Sequence, residues 1–402
     1  MSMKNETSGS VSSNYKWVML ALIWLAYFAA FMVFSSIPPL VTPIVHDLSL
    51  TYSKVGFILG TVLLVYIPLG LPVGLIIDRA GTRRTLMIGI ALASLSGILG
   101  SFATSFETLF LSVFVFGLGG PFISVGSPKI VASWFFGRDR GVASGIYITG
   151  ATIGSSTALA ITNTLILPLV GTWRNTLRLY GLFGLLIAFI CLLFAREATH
   201  TKARVAKTVS LREAITKLLR EKYVWIVVVV GFFSLFFAGH GFGRWLPQLL
   251  ELRGMSPADA GFWSSVPGWS GVIGSLVIPS LRKAGSRKPI VFVTLLVQGI
   301  CILTTGITVG LPLIASLVFY GISSAAMAPL VMVILMDLPQ VGAQYMGAAG
   351  GILMSVGGLG GFTGPLLVGF LVDLTGSILP GIIVLTVAVE AMLIFALLMK
   401  EK

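Results

Sequence analysis

Gly74-Leu75-Ile76-Ile77-Asp78-Arg79-Ala80-Gly81-Thr82-Arg83-Arg84 joins two runs, 55–77 and 85–104, that hold no charged residue at all. Each run is long enough to cross a bilayer core, which takes about 20 apolar residues. The stretch therefore reads as a tight basic loop between two membrane helices. Gly74 lets neighbouring helices approach, Gly81 permits the sharp turn, and Asp78, the one acid among cations, can pair with a cation or face a helix N-terminus. Arg79, Arg83 and Arg84 alone would serve as anchors on one side of the membrane, but anchoring explains neither the acid nor the glycines.

The pattern continues in both directions. The 402 residues are 56% hydrophobic and only 10% charged, with a mean hydropathy of +0.99. One soluble core cannot hide that much apolar surface, so lipid is the expected solvent. Charge-poor runs fall at 17–42, 55–77, 85–104, 108–134, 141–168, 177–195, 223–246, 260–281, 289–308, 311–336, 344–372 and 379–399, which predicts an all-α membrane protein of twelve transmembrane helices. The net charge of +13 does not indicate nucleic acid, because no stretch interleaves Lys and Arg with aromatics on a polar face. Basic residues collect instead in alternate loops. Under the positive-inside rule this places both termini in the cytoplasm, and the bilayer itself is the first expected partner. Cys191 and Cys301 lie within apolar runs and read as packing residues.

The segment 196–222 is the one extended polar linker, and it divides the chain into 1–195 and 223–402. Within it, Ser210-Leu-Arg-Glu213 has the form of a capping box, and Leu211, Ile215, Leu218 and Leu219 recur at helical spacing. A short amphipathic helix is expected there. Across the linker small-residue patterns repeat: Gly81, Arg83 and Arg84 return as Gly285, Arg287 and Lys288, and Gly141, Gly145 and Gly154 as Gly347, Gly351 and Gly360, at nearly one spacing. Two six-helix bundles related by duplication are the economical reading.

The loop quoted above resembles the signature loop of the major facilitator superfamily, G-x-x-x-D-R-x-G-R/T-R-R. Trp134-Phe-Phe-Gly-Arg138-Asp139-Arg140-Gly141-Val-Ala-Ser-Gly145 is similar to the family's loop between spans four and five, with Asp139 where glutamate is usual. Gly361-Phe-Thr-Gly364-Pro365 through Asp373-Leu-Thr-Gly376 looks like the family's eleventh span and its exit. The resemblance covers the whole chain and implies a pseudo-two-fold fold and alternating access, with Gly74, Asp78, Arg79, Gly81, Arg83, Arg84, Asp139, Arg140 and Gly141 forming a conformational latch. The second-half loop reads Ser280-Leu281-Arg282 and lacks the acid, so the latch is expected to be asymmetric. Span five lacks the G-P-x-x-G-G signature of drug antiporters. Pro128-Lys129 to Trp134 and Gly239-His240-Gly-Phe-Gly-Arg244-Trp245-Leu-Pro247 are similar to members grouped with cyanate and nitroimidazole permeases, which implies a small solute, anionic by one reading.

Ionisable groups in hydrocarbon are costly and usually functional. Lys129 lies ~31 Å along span four, where it serves either the solute path or a gate, or snorkels to the surface. His240 and Arg244 share one face of span seven, ~26 and ~32 Å from its start, among three glycines that would loosen the helix. They suit a gate or an anion lure, and an interfacial anchor beside Trp245 is the alternative. Glu390, ~17 Å into span twelve, is either structural or a proton site. The family builds its cavity from spans one, four, seven and ten, whose midplane residues here include Tyr27, Phe31, Ser124, Tyr320 and Met327. Each of these also fits plain packing. No phosphate loop, nucleophile set or His/Cys metal cluster is legible, so neither an enzyme nor a bound cofactor is expected, with proton coupling left open. The chain reads as a monomeric secondary transporter of a prokaryotic plasma membrane. An exporter, a lipid translocator or a sensor of the same fold are the alternatives.

Overall fold

The structure, a computed structural model, describes residues 14–197, 211–281 and 287–399. In hydrocarbon every backbone polar group must be satisfied inside its own segment, and the described residues form helices joined by short turns. The first half comprises α1 (Tyr15–Phe34), α2 (Val41–Leu48), α3 (Tyr52–Ala80), α4 (Thr82–Gly100), α5 (Phe106–Trp134), α6 (Arg138–Ile161), α7 (Leu167–Val170) and α8 (Trp173–Phe194). After the linker helix α9 (Leu211–Leu219), the second half comprises α10 (Lys222–Val230), α11 (Gly239–Leu252), α12 (Pro257–Val277), α13 (Lys288–Ile307), α14 (Leu311–Asp337), α15 (Gly342–Thr375) and α16 (Leu379–Leu398). Two π-helical stretches, Thr162–Ile166 and Gly231–Ala238, continue α6 into α7 and α10 into α11.

Among the described residues eleven of these segments are long and apolar enough to cross a membrane. The expected eighth span, α12, matches them in length with 21 residues but is less apolar. Its composition follows from packing on two sides, since side chains at Gly271 and Gly274 would strike Ala325 and the Ile322 carbonyl of α14, while Gly261 and Gly268 lie on α6. Small residues replace large apolar ones where helices are this close. The expected first span, 17–42, is interrupted: α1 ends at Phe34 and a 3-10 turn, Pro38–Leu40, leads into α2. Proline has no N–H to continue the ladder, which explains the break.

Loops at the two ends of the bundle are built differently. The end that carries Tyr15, the α3–α4 turn and the linker is called here the linker end, and the opposite one the far end. Four helices that start at the far end have a side-chain N-cap, from Thr51, Ser105, Thr172 and Ser256. At the linker end Gly81 adopts φ +87° and makes the turn that the sequence motif requires. The linker helix α9 forms and lies against α15, with Ala214 and Leu218 buried and the Lys217 ammonium 4.6 Å from the Tyr345 ring centroid. Ser210 of the capping box, the earlier linker residues and Arg282 to Ser286 lie outside the described residues.

The halves meet along two seams, α3 against α15 and α6 against α12. On the first, a side chain at Gly56 would strike the Pro365 carbonyl, one at Gly60 the Phe362 backbone, one at Gly358 the Leu63 carbonyl and one at Gly369 the Tyr52 carbonyl. On the second, Gly261 lies on the Leu159 carbonyl and Gly268 on the Ser156 side chain. The same helix faces, followed by sevens and elevens towards the linker end, carry Gly74 on α3, Gly347 and Gly351 on α15, and Gly141 and Gly145 on α6. All five have nothing within 4 Å of where a Cβ would stand. The seams are shut at the far end and open at the linker end.

Candidate functional site

Every hydrogen bond between the halves among the described residues lies at the far end. Arg244 of α11 donates from Nη1 to the Phe34 carbonyl at 2.8 Å, and its guanidinium carbon lies 3.3 Å from the Phe34 ring centroid. Thr42 donates to the Gln248 side chain at 3.1 Å and also contacts the Glu251 carboxylate. Asn163, in the π-helical stretch after α6, donates from Nδ2 to the Pro39 carbonyl of its own half at 2.8 Å and to the Pro257 carbonyl of the other at 3.1 Å. Asp373, in the last turn of α15, takes hydrogen bonds from Tyr52 and Ser53 at the start of α3. An edge-to-face pair, Phe57 with Phe362 at 5.1 Å, fills the seam below them.

Arg244 is the only charged residue among the described ones that is buried, at 6% exposure, and its Nη2 has no partner. It lines a cavity of about 20 Å³ whose other walls include Phe34, Ile58, Leu59, Val62, Val113 and Phe116. That space holds about one water molecule. An unpaired guanidinium nitrogen beside an apolar cavity costs free energy, so the site is suited to accept an anion or to part from its partner carbonyl. Trp245, one residue on, is fully buried and donates to the Pro365 carbonyl at 2.8 Å. It holds α11 to α15 and packs at 5.9 Å on Tyr52 of α3, beside the contacts between the halves.

His240, one turn below Arg244, stacks on Phe236 at 6.1 Å and is only partly buried. The three glycines around it do not loosen α11, which is continuous over Gly239–Leu252. The irregular stretch is the preceding π-helix, where the Gln298 amide of α13 donates to the Ser234 carbonyl at 3.0 Å. Gly241 instead serves packing, against Leu385 and the Gly364 backbone. Tyr27 and Phe31 of α1 stack at 5.9 Å, and Tyr147 of α6 meets Tyr27 edge-on at 5.2 Å. Tyr66 presses its hydroxyl against Gly120 of α5, one turn before Ser124. In the second half Tyr320 reaches towards the Gly239 carbonyl at 3.4 Å and packs on Phe242, while Met327 is completely enclosed. Phe31, Ser124 and His240 retain some exposure, whereas Tyr27 and Tyr320 are buried.

At the linker end the latch residues find partners inside their own halves. Asp78 pairs with Lys129 at 2.5 Å, and the same ammonium donates to the Gly74 carbonyl at 3.0 Å, so Lys129 ties α5 to the end of α3. Arg83 donates to the Leu192 carbonyl at 2.9 Å, while Arg79 and Arg84 are exposed. Asp139 pairs with Lys16 at 2.7 Å, and Arg140 caps the end of α5 through the Ala132 and Phe135 carbonyls. In the second half Arg287 finds an acid on another helix, Asp337 at the end of α14, at 3.1 Å. Glu390 of α16 packs on Gly299 of α13, away from both seams, and its Oε1 has no partner.

Several residues at these sites carry no charge and escape a search for ionisable groups: Phe34, Asn163, Gln248 and Gln298. A lone amide inside an apolar run is itself a signal, because it needs a partner in the membrane. Phe34 acts through its backbone carbonyl and leaves no trace in the sequence. Asp337 and Asp373 stand at span ends, where they read as ordinary loop acids.

The profile of the Major Facilitator Superfamily matches residues 23–365 and 253–402. The chain belongs to the major facilitator superfamily. It is 28% identical over 388 residues to the nitrite extrusion protein of Bacillus subtilis, covering 93% of this chain and 92% of the relative. It is 27% identical over 367 residues to the probable nitrate transporter NarT of Staphylococcus carnosus, covering 90% of each, and 24% identical over 356 residues to the hexuronate transporter of Bacillus subtilis, covering 82% of each. Among solved structures it is similar to a bacterial homolog of the human lysosomal transporter Spinster in an inward-facing, unoccupied conformation, with a TM-score of 0.75 at 18% identity over 98% of this chain and 96% of the other. The chain is an integral membrane transporter, and its family and relatives are not enzymes.

Proposed function

We propose that this transporter carries a small monovalent anion of the nitrite or nitrate class by alternating access, and that the structure is its inward-open state, with the linker end in the cytoplasm. The observation that carries the anion assignment is Arg244, the buried cation that bridges α11 to the end of α1 across the halves, with one nitrogen unpaired. When the far end parts, this guanidinium loses the Phe34 carbonyl and faces the outer mouth, where it attracts anions. When the far end shuts, the carbonyl replaces the anion, which is thereby released towards the linker end. The partly exposed Phe31 of α1 and Ser124 of α5 offer an aromatic ring and a hydroxyl, which suit a compact anion better than a sugar acid that calls for many amides and carboxylates. The basic loops supply the orientation, and one chain contributes both halves of the path, so the working unit is a monomer in the plasma membrane.

Purified protein in proteoliposomes is expected to show saturable counterflow of nitrite or nitrate. Arg244→Gln is expected to abolish it while thermal unfolding in detergent stays cooperative. Counterflow no faster than in empty liposomes for both anions would overturn the anion assignment, as would a fully active Arg244→Gln variant.

A further inference from the structure

Helix N-termini leave backbone N–H groups without intrahelical partners and carry partial positive charge. At the start of α3, Thr51 satisfies the Lys54 N–H from its hydroxyl at 3.3 Å. The next two are satisfied from the other half of the molecule. Asp373 accepts from the Tyr52 N–H at 2.9 Å through Oδ1, and from the Ser53 N–H at 2.7 Å and the Ser53 hydroxyl at 2.5 Å through Oδ2. One carboxylate thus takes three donors across the seam, more than any other side chain at the far end among the described residues.

Among the described residues the same chemistry recurs within one half. Glu197, just beyond α8, accepts from the Thr82 N–H at 3.0 Å, the Thr82 hydroxyl at 2.9 Å and the Arg83 N–H at 3.0 Å at the start of α4. Glu197 and α4 belong to one half, so their bonds survive rocking of the halves. Asp373 and α3 belong to different halves, so their bonds break each time the far end opens.

We infer that Asp373 is a gate residue of the transport cycle, a trans N-cap whose charge holds the far end of α3 to α15 and sets the balance between the two open states. The inference rests on the alternating-access reading above, but not on any particular solute.

The test uses thiol labelling in oriented membrane vesicles, with no solute added. Leu59→Cys, in the cavity behind the gate, reports far-end opening, and Met354→Cys, exposed on the α3-facing side of α15, reports linker-end opening. Cys191 and Cys301 are both buried, and the chain without reporters gives the background. Asp373→Asn is expected to raise far-side labelling of Leu59→Cys about tenfold, the equivalent of one charged hydrogen bond, and to lower labelling of Met354→Cys. Asp373→Glu, which keeps the charge, is expected to raise it less, and Glu197→Gln not at all. Unchanged far-side labelling in Asp373→Asn overturns the inference, as does an equal rise in Glu197→Gln. A rise at both reporters together means general loosening and also overturns it. If Asp373→Asn does not fold, Ser53→Ala decides the matter: a rise of about threefold supports the clasp and none refutes it. Failure of anion counterflow with these labelling results intact would leave the clasp standing and sink only the solute assignment.

Discussion

The two sets of seam glycines should respond to alanine in opposite directions. At Gly60 a methyl group would stand 2.6 Å from the Phe362 carbonyl oxygen and 2.8 Å from its Cα, and backbone cannot rotate away. Overpacking of this kind costs about 1–3 kcal/mol. The cost falls only on the state in which α3 and α15 touch at the far end, while any gain in helix propensity is common to both states and cancels. Gly60→Ala should therefore shift the equilibrium about 5- to 150-fold towards the far-end-open state. At Gly74, on the same face of α3, a methyl group has nothing within 4 Å in this state. If linker-end closure brings that face against Gly347 or Gly351 of α15, Gly74→Ala penalises the opposite state and holds the protein as it is seen here. The assay is labelling of Leu59→Cys from the far side: Gly60→Ala raises the rate and Gly74→Ala lowers it. Equal effects of the two substitutions, or none from Gly60→Ala, would refute the view that each glycine set serves one state.

Three further expectations follow from single contacts. Asn163→Ala removes hydrogen bonds to the Pro39 and Pro257 carbonyls, worth about 1 kcal/mol each, and should lower unfolding stability by about 2 kcal/mol; a loss below about 0.5 kcal/mol in denaturant titration contradicts the contact. The Asp78–Lys129 pair is 65% and 33% exposed, so Asp78→Asn should cost under about 1 kcal/mol, and any larger effect on transport must come from the cycle itself; the charge-swapped double variant should recover transport that each single swap loses. Glu390→Gln should leave counterflow within about twofold of wild type, because the carboxyl packs on Gly299 of the neighbouring helix and touches neither seam; collapse of counterflow would make it a proton site instead.

The fold was legible because hydrocarbon imposes one demand, about 20 apolar residues per crossing, that a hydropathy count reads directly. The run 55–77 became α3 and the run 289–308 became α13 with shifts of three residues or fewer at each end. What the count missed has a physical reason in each case. The break after Phe34 is a matter of proline chemistry inside an apolar run, and the π-helical stretch Gly231–Ala238 is a change of hydrogen-bond register that hydropathy does not sense. For the site, charge in an apolar run singled out Arg244 and Lys129, yet their partners could not be read. Lys129 meets an acid 51 positions away and Arg244 a backbone carbonyl 210 positions away, and both pairings depend on how helices pack. Placing every seam contact at one end required the assembled bundle.

In alternating access the two ends of the bundle open in turn. Spin labels at Lys54 and Leu374 report the far end of the α3–α15 seam, and labels at Leu75 and Met354 report its linker end. Distances between them should be measured by pulsed electron resonance in liposomes, with and without nitrite or nitrate. A reciprocal change is expected, with the far-end distance lengthening in the population whose linker-end distance shortens. Distances that move in the same sense, or a far-end distance that stays short while the linker end closes, would contradict it.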